Sequence, residues 1–482
     1  MRVLLQIAQL AVLARLLSPA DYGLMAMVSV VLALAAIFAD MGMNSAYVQR
    51  QSVSEFERSS LFWLNIAVSS AFTSLVLVTS PLLAHWLGDA RLTPLLMLAA
   101  TTFVISALGQ QIRMSAEKAM NFRPLILIEV VAALLGFAAA VASAFVGLGV
   151  YALLLGGVVN AAASTALAWM YLANGWRPLW RFRLVDVRGY IRFGGALVAS
   201  NFVNELSRNI DLLLGGRMLG ATELGLYSLP RQVVFQVQGV VNPVVTRVGF
   251  PLVSQIQTDL PRVRAVYLKS LNMTSSSNAP LYVGLAYFAP ELVGIVLGDK
   301  WLEIADLLRI LAVWGFIRST GNPVGSLLLG MGRADMALKW NLAMLLVLPP
   351  ALWAGSRFGT LGLAWALLAS SVVMFVPGWY VLVWSQCKAG LWEYCLATVK
   401  PFVLAVVAIG FGYFAGIAAK DSYLRLGIAF IASVPLYLWL SYLLNREWVL
   451  AMLQLGGWNC APIMDGDKNV AGPSQSPRTL RG

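Results

Sequence analysis

The sequence predicts an all-α polytopic membrane protein with about 14 transmembrane helices, arranged as two parallel-repeat six-helix lobes plus two C-terminal helices. Three observations carry this. Hydrophobic residues make up 59% of the 482 positions and charged residues only 12%, whereas soluble domains carry about a quarter charged residues. Apolar stretches near the roughly 20 residues that cross a hydrocarbon core as a helix recur from the first residues to about Asn445. Segments of the first half also reappear, in order, in the second.

The stretches fall at 3–17, 24–48, 61–87, 92–112, 125–146, 149–173, 193–216, 224–250, 270–298, 304–330, 337–356, 360–384, 398–418 and 424–444. With the amino terminus inside, the inner loops hold Arg113, Lys118, Arg123 and the run Arg177, Arg181, Arg183, Arg188 and Arg192, among others. The outer side holds only Arg15, Arg91, Arg217, Lys300, Arg357, Lys420 and Arg425. Cytoplasmic loops carry the Lys/Arg excess, so both termini are expected in the cytoplasm of a bacterial cell with the chain in its inner membrane. The net charge of +12 then reports topology and does not point to nucleic acid. Cys387, Cys395 and Cys460 form no metal or disulfide spacing. His85 ends the third stretch beside Trp86, as an interfacial polar residue does.

The repeat organises the chain. Arg15-Leu16-Leu17-Ser18-Pro19-Ala20-Asp21-Tyr22-Gly23-Leu24 aligns with Arg217-Met218-Leu219-Gly220-Ala221-Thr222-Glu223-Leu224-Gly225-Leu226 at an offset of 202. Leu87-Gly88-Asp89 matches Leu297-Gly298-Asp299 at 210, and Tyr151-Ala152-Leu153-Leu154 matches Trp365-Ala366-Leu367-Leu368 at 214. Six spans per copy is an even number, so both copies enter the membrane from one side, a transporter architecture with its site between the halves. The expected units are an N-lobe (1–173), a basic cytoplasmic connector (174–192), a C-lobe (193–384), two further spans (385–445) and a cytoplasmic tail (446–482). The connector interleaves Trp176, Trp180 and Phe182 with arginines, the make-up of a segment lying on an anionic leaflet. The match to the second half makes the amino-terminal apolar run part of the fold and not a signal peptide. Applied to Phe193, where span seven opens, the offset further leads one to expect a first span that starts about ten residues upstream of Met1.

Ionisable residues within spans are costly and default to functional candidates. Asn201, Asn204, Glu205, Arg208 and Asp211 step by three and four along span seven, forming one polar stripe. The stripe must face a cavity or another helix, and an ion-pair ladder that only locks the bundle is the plainer alternative. Span eight adds Arg231, Gln238 and Asn242 on a shared face, and span ten adds Asp306, Arg309 and Arg318 ahead of the breaking Gly321-Asn322-Pro323. In the first half, Asp40 is the candidate for ion coupling, since burial would raise its pKa and link protonation to a conformational change. Glu129 reads as a boundary partner of Arg123. No nucleotide-binding loop, metal-ligand cluster or long outer loop occurs in the sequence, so neither a cofactor nor an enzymatic role is expected.

Around Leu13-Ala14-Arg15-Leu16-Leu17-Ser18-Pro19-Ala20-Asp21-Tyr22-Gly23-Leu24 the chain resembles polysaccharide transporters of the Wzx type in the multidrug/oligosaccharidyl-lipid/polysaccharide exporter superfamily. Asn209-Ile210-Asp211, Gly216-Arg217-Met218-Leu219-Gly220 and Leu224-Gly225-Leu226-Tyr227-Ser228 resemble the same family, closest in flavour to colanic-acid and xanthan-type flippases. The resemblance implies translocation of undecaprenyl-pyrophosphate-linked repeat units between leaflets by alternating access with ion coupling, alongside membrane lipid, a polysaccharide polymerase and export machinery. On that reading Arg208 and Arg231, then Arg309 and Arg318, would meet the pyrophosphate, Asn201, Asn204, Gln238 and Asn242 the sugars. Asp40, Glu205 and Asp211 would be the coupling acids. A drug or cation exporter of the same superfamily is the alternative, because acids and arginines within the spans are about equally numerous. A polymerase or ligase stands further off.

Overall fold

In the computed structural model, which describes residues 2–40, 47, 50–419 and 421–455, the ordered elements are helices, and no strand occurs among the described residues. Hydrocarbon offers no hydrogen bonds, so each crossing stretch must satisfy its own backbone groups. The first half comprises α1 (Arg2–Leu16), α2 (Pro19–Asp40), α3 (Glu55–Leu87), α4 (Leu92–Lys118), α5 (Phe122–Phe145) and α6 (Val150–Leu172). The stretch Leu184–Gln255 follows, broken where Gly220 takes φ 79° and ψ 176°; its arms are α7 (184–219) and α8 (221–255). Then come α9 (Leu260–Tyr287), α10 (Ala289–Leu292), α11 (Ala305–Thr320), α12 (Pro323–Gly330), α13 (Ala334–Ser356) and α14 (Gly359–Val373). The chain ends with α15 (Phe375–Gly378), α16 (Ser385–Cys387), α17 (Leu391–Gly416), α18 (Ser422–Leu444) and α19 (Arg446–Leu455).

Helix occupies each stretch read from the sequence, the end of the second lying outside the described residues. Eight described helices are long and apolar enough to cross a membrane. Ten crossings result if the bent pairs Leu260–Tyr287 with Ala289–Leu297 (81°) and Gly359–Val373 with Phe375–Cys387 (44°) each count once. The other stretches fall short for visible reasons: α1 has 15 residues, α11 and α12 are parted at Gly321 and Asn322, and α7 and α8 carry the polar stripes.

Local chemistry sets the ends. Ser54 and Glu57 form a capping box at α3, with Glu57 N donating to Ser54 Oγ at 3.2 Å and Ser54 N to Glu57 Oε2 at 3.0 Å. Gly88 closes α3 in the left-handed region. Beyond it, Arg91 donates to both Asp89 oxygens, from Nε at 3.0 Å and Nη2 at 2.7 Å. That hydrogen bonding holds the Asp89 carboxyl below its ordinary value. A depressed carboxylate contributes stability above its unfolded pKa and loses it as pH falls through the folded one. Asp89→Asn is therefore expected to cost at most about 1 kcal/mol near neutrality and nothing in acid, read as detergent melting temperature against pH.

The connector is not a free loop. Leu179 N donates to Ser59 Oγ at 3.2 Å, Trp63 Nε1 to the Leu179 carbonyl at 2.8 Å, and Arg58 stacks over Trp176 at 4.0 Å, so residues 176–183 lie along the start of α3. α7 then begins at Leu184, inside the segment read as connector.

α2 packs along the broken α7–α8 stretch, and the α1–α2 turn meets the break. A Cβ added to Gly23 would overlap the Ala221 carbonyl oxygen, and one added to Gly225 would overlap the Pro19 carbonyl oxygen. Both residue pairs, Gly23 with Gly225 and Pro19 with Ala221, are separated by the 202 residues of the sequence match. One contact is thus made twice, in opposite directions. Only glycine lets two backbones approach this closely. Around the crossing, Lys300 Nζ donates to the carbonyls of Arg15 and Leu17 at 3.0 and 2.7 Å, and Trp301 Nε1 to that of Ala14 at 2.8 Å. These carbonyls lie at the end of α1, where partners within the helix run out and a cation meets the negative end of the dipole. Trp301 is fully buried and lies edge-on to Tyr22, with ring centroids 5.6 Å apart.

Candidate functional site

Against this closure, α1, α2, α5, α6, α7 and α8 surround a cavity of about 890 Å³. The part of its wall from α1, α2, α5 and α6 is apolar or small, with Gln6, Gln9, Tyr22, Ser29 and Asn160 as its main polar groups. The part from α7 and α8 holds Glu205, Arg208 and Asn209, then Ser228, Arg231, Gln232 and Gln236. Among the described residues, every charged lining residue comes from these two arms.

On α7, helical spacing presents Glu205, Arg208 and Asn209 together. Asn209 Nδ2 donates to Glu205 Oε1 at 2.7 Å, which orients that carboxylate, and Arg208 Nη1 lies 3.9 Å from Glu205 Oε2. Arg208 keeps 48% of its side chain exposed, so its guanidinium remains open to a ligand in the cavity.

Arg231 is differently placed. Its Nε donates to Asp211 Oδ2 at 2.6 Å and its Nη2 to Asp211 Oδ1 at 3.1 Å, while Nη2 also reaches the Arg208 carbonyl at 2.7 Å. Tyr227 donates its hydroxyl to the same Asp211 Oδ2 at 2.6 Å. The two charged side chains are 9% and 4% exposed, and a buried charge is tolerated only when paired and hydrogen-bonded. Asp211 sits on α7, Tyr227 and Arg231 on α8, so the cluster braces the two arms across the Gly220 break. It also aims the Arg231 guanidinium at the face of Phe235, 4.6 Å from the centroid. Arg318 of α11 lies 5.2 Å from the Phe235 centroid and 5.5 Å from that of Trp314. Its Nε is buried without a hydrogen-bond partner among the described residues.

The other described residues singled out by sequence lie outside this wall. Asn204 accepts from Asn341 Nδ2 at 3.4 Å, tying α7 to α13. Asn242 accepts from Asn278 Nδ2 and Ser319 Oγ, each at 3.0 Å, and knits α8 to α9 and α11. Asn242 does share a helical period with Arg231, but it looks into the bundle, while Ser228, Gln232 and Gln236 look into the cavity. Gln238 is half-buried off the wall, and Asn201 is exposed elsewhere. Arg309 pairs with Asp306 at 2.6 Å on an exposed turn. The side chain of Asp40 lies outside the described residues. Gln6, Gln9, Asn160, Gln232 and Gln236 carry no charge and so give no intramembrane-charge signal in the sequence, although Gln6–Gln9 and Gln232–Gln236 have the i,i+3 and i,i+4 spacing of a shared face. No group of three or more His, Cys, Asp or Glu side chains suited to a metal occurs among the described residues.

A helical membrane protein with a polar cavity between its helices, closed at one end by interlocked turns, has the fold of a transporter. The backbone matches that of the lipid II flippase MurJ in an inward closed conformation, with a TM-score of 0.73, covering 93% of this chain and 97% of that one at 12% identity. In sequence, the chain is 31% identical over 417 residues to the lipopolysaccharide biosynthesis protein WzxC of Escherichia coli (strain K12), covering 86% of this chain and 85% of that protein. It is also 31% identical over 442 residues to the teichuronic acid biosynthesis protein TuaB of Bacillus subtilis (strain 168), covering 91% of each. The family model described as polysaccharide biosynthesis protein matches residues 12–306. The chain belongs to that family.

Proposed function

We propose that the chain is a flippase that moves undecaprenyl-pyrophosphate-linked oligosaccharide repeat units from the cytoplasmic to the periplasmic leaflet by alternating access. The observation that carries this is the open guanidinium of Arg208 in a cavity closed at one end. A pyrophosphate leaving water needs fixed positive partners, and arginine offers planar, permanently charged donors. The relatives are named for lipopolysaccharide and teichuronic acid biosynthesis and the structural neighbour for flipping lipid II, and this supports a lipid-linked saccharide as cargo.

On this proposal the units 1–173 and 193–384 rock about the glycine crossing, the closed end faces the periplasm and both termini stay in the cytoplasm. Residues 385–445 flank the second unit. Arg208 binds phosphate directly, Arg231 acts through the brace, and Arg318 adds positive potential behind Phe235. Glu205, beside Arg208 on the cavity wall, is the foremost coupling acid, with Asp40 after it. The chain makes and breaks no covalent bonds and delivers its cargo to a polysaccharide polymerase and export machinery.

Arg208→Ala tests this in proteoliposomes with a labelled undecaprenyl-pyrophosphate-linked oligosaccharide. Loss of a hydrogen bond to a charged group, worth about 1.5–3 kcal/mol, is expected to slow translocation at least about tenfold with the melting temperature unchanged. A wild-type rate equal to that of protein-free vesicles would sink the flippase reading. Rapid translocation by wild type and variant alike would remove Arg208 from it.

A further inference from the structure

We infer that the uncharged wall of the cavity reads the saccharide: Gln6, Gln9 and Asn160 hydrogen-bond the sugar part of the cargo while the charged wall holds its phosphate, so discrimination among cargos resides in α1 and α6. This rests on the flippase reading. The two walls differ in kind. Among the described residues, every charged lining residue belongs to α7 or α8, whereas α1 and α6 contribute three side-chain carboxamides. A carboxamide offers two donors and an acceptor and so matches sugar hydroxyls, which also do both, without competing for phosphate.

The three amides are available. Gln6 and Asn160 are exposed and Gln9 half-buried, and no hydrogen bond among the described residues holds any of their side chains. On the charged wall Asn209 is committed to Glu205, and the amides of Gln232 and Gln236 stand on the same α8 arm as the charged Arg231. The space beside the amides is also built. α5 and α6 cross closely, since a Cβ on Gly136 would come 2.7 Å from the Gly156 carbonyl oxygen and 2.8 Å from Asn160 Cβ. That crossing fixes where Asn160 projects. One turn earlier, Gly157 lines the cavity, and a Cβ there would find nothing within 4 Å. α6 therefore offers a stretch of bare backbone at Gly157, open to the cavity and ending in one amide.

The test uses the full chain in nanodiscs and two probes, undecaprenyl pyrophosphate and the same lipid carrying a pentasaccharide. The variants are the triple Gln6→Ala/Gln9→Ala/Asn160→Ala and, separately, Gly157→Leu, which fills that open stretch without removing a polar group. Each is expected to weaken binding of the saccharide-bearing lipid about tenfold or more and to leave the bare lipid within about twofold. Arg208→Ala is expected to weaken both probes. Should the triple variant fail to fold, Gly157→Leu decides alone. Equal weakening of both probes, no weakening of either, or a wild type that binds the two lipids equally would overturn the saccharide wall. A wild type that binds neither lipid would instead overturn the flippase reading and the inference with it.

Discussion

Arg231→Ala is expected to destabilise the protein by about 3–5 kcal/mol, because it leaves the Asp211 carboxylate buried without its counter-charge. The Asp211 side chain is 4% exposed and would keep only the Tyr227 hydroxyl among its present side-chain donors. Arg231→Lys should recover part of the loss, since an ammonium restores charge but not the two-point fork. The double variant Asp211→Asn/Arg231→Gln removes both charges and should be more stable than Arg231→Ala alone. Denaturation in detergent, followed by tryptophan fluorescence, measures all three. An Arg231→Ala protein as stable as wild type would show that the pair does not brace the α7–α8 break. The double variant also separates structure from ligand binding: restored stability with restored translocation assigns Arg231 to the brace, and restored stability without translocation assigns it to the cargo as well.

Gly23→Ala is expected to open the closed end of the cavity. The added methyl would overlap the Ala221 carbonyl oxygen, and the obstacle is backbone on both sides, with no flexible side chain to yield. Overpacking of this kind costs about 1–3 kcal/mol, borne only by the state in which the turns interlock. Each 1.4 kcal/mol shifts a population about tenfold. The readout is a cysteine at position 29, where Ser29 lines the cavity, in a chain lacking Cys387, Cys395 and Cys460. Labelling by an impermeant thiol reagent from the closed side should rise about tenfold in Gly23→Ala, and Gly225→Ala should match it. Labelling that stays at the parent level in both variants would show that the crossing is not the closure.

Periodicity made the helices legible, and the turn motifs made the repeat legible, because both are local in sequence. The direction in which a polar face looks is not local. Arg231, Gln238 and Asn242 share a face by helical period, yet Arg231 turns to Asp211 across the Gly220 break while Asn242 meets Asn278 and Ser319. Nothing in the spacing says which neighbouring helix stands opposite. The ladder along α7 failed at its second rung for the same reason: Asp211 is three residues from Arg208, but a partner twenty residues away on α8 offers a buried two-point fork. Gln6 and Gln9 are silent in the sequence because an uncharged amide in an apolar helix costs far less than a charge, and only the cavity beside α1 gives them a role.

The paired contact of Gly23 and Gly225 has the form of an isologous interface, in which residue i of one copy meets residue j of the other and j meets i. The two halves of one chain thus meet as the two copies of a twofold dimer do, with the axis passing through this crossing. The two turns differ in how they are built and agree in the approach of their backbones. Ser18 now anchors one through Asp21, its hydroxyl donating to Oδ2 at 2.7 Å, and Gly220 bends the other. The symmetry is held at the glycines, where a side chain on either copy would break it.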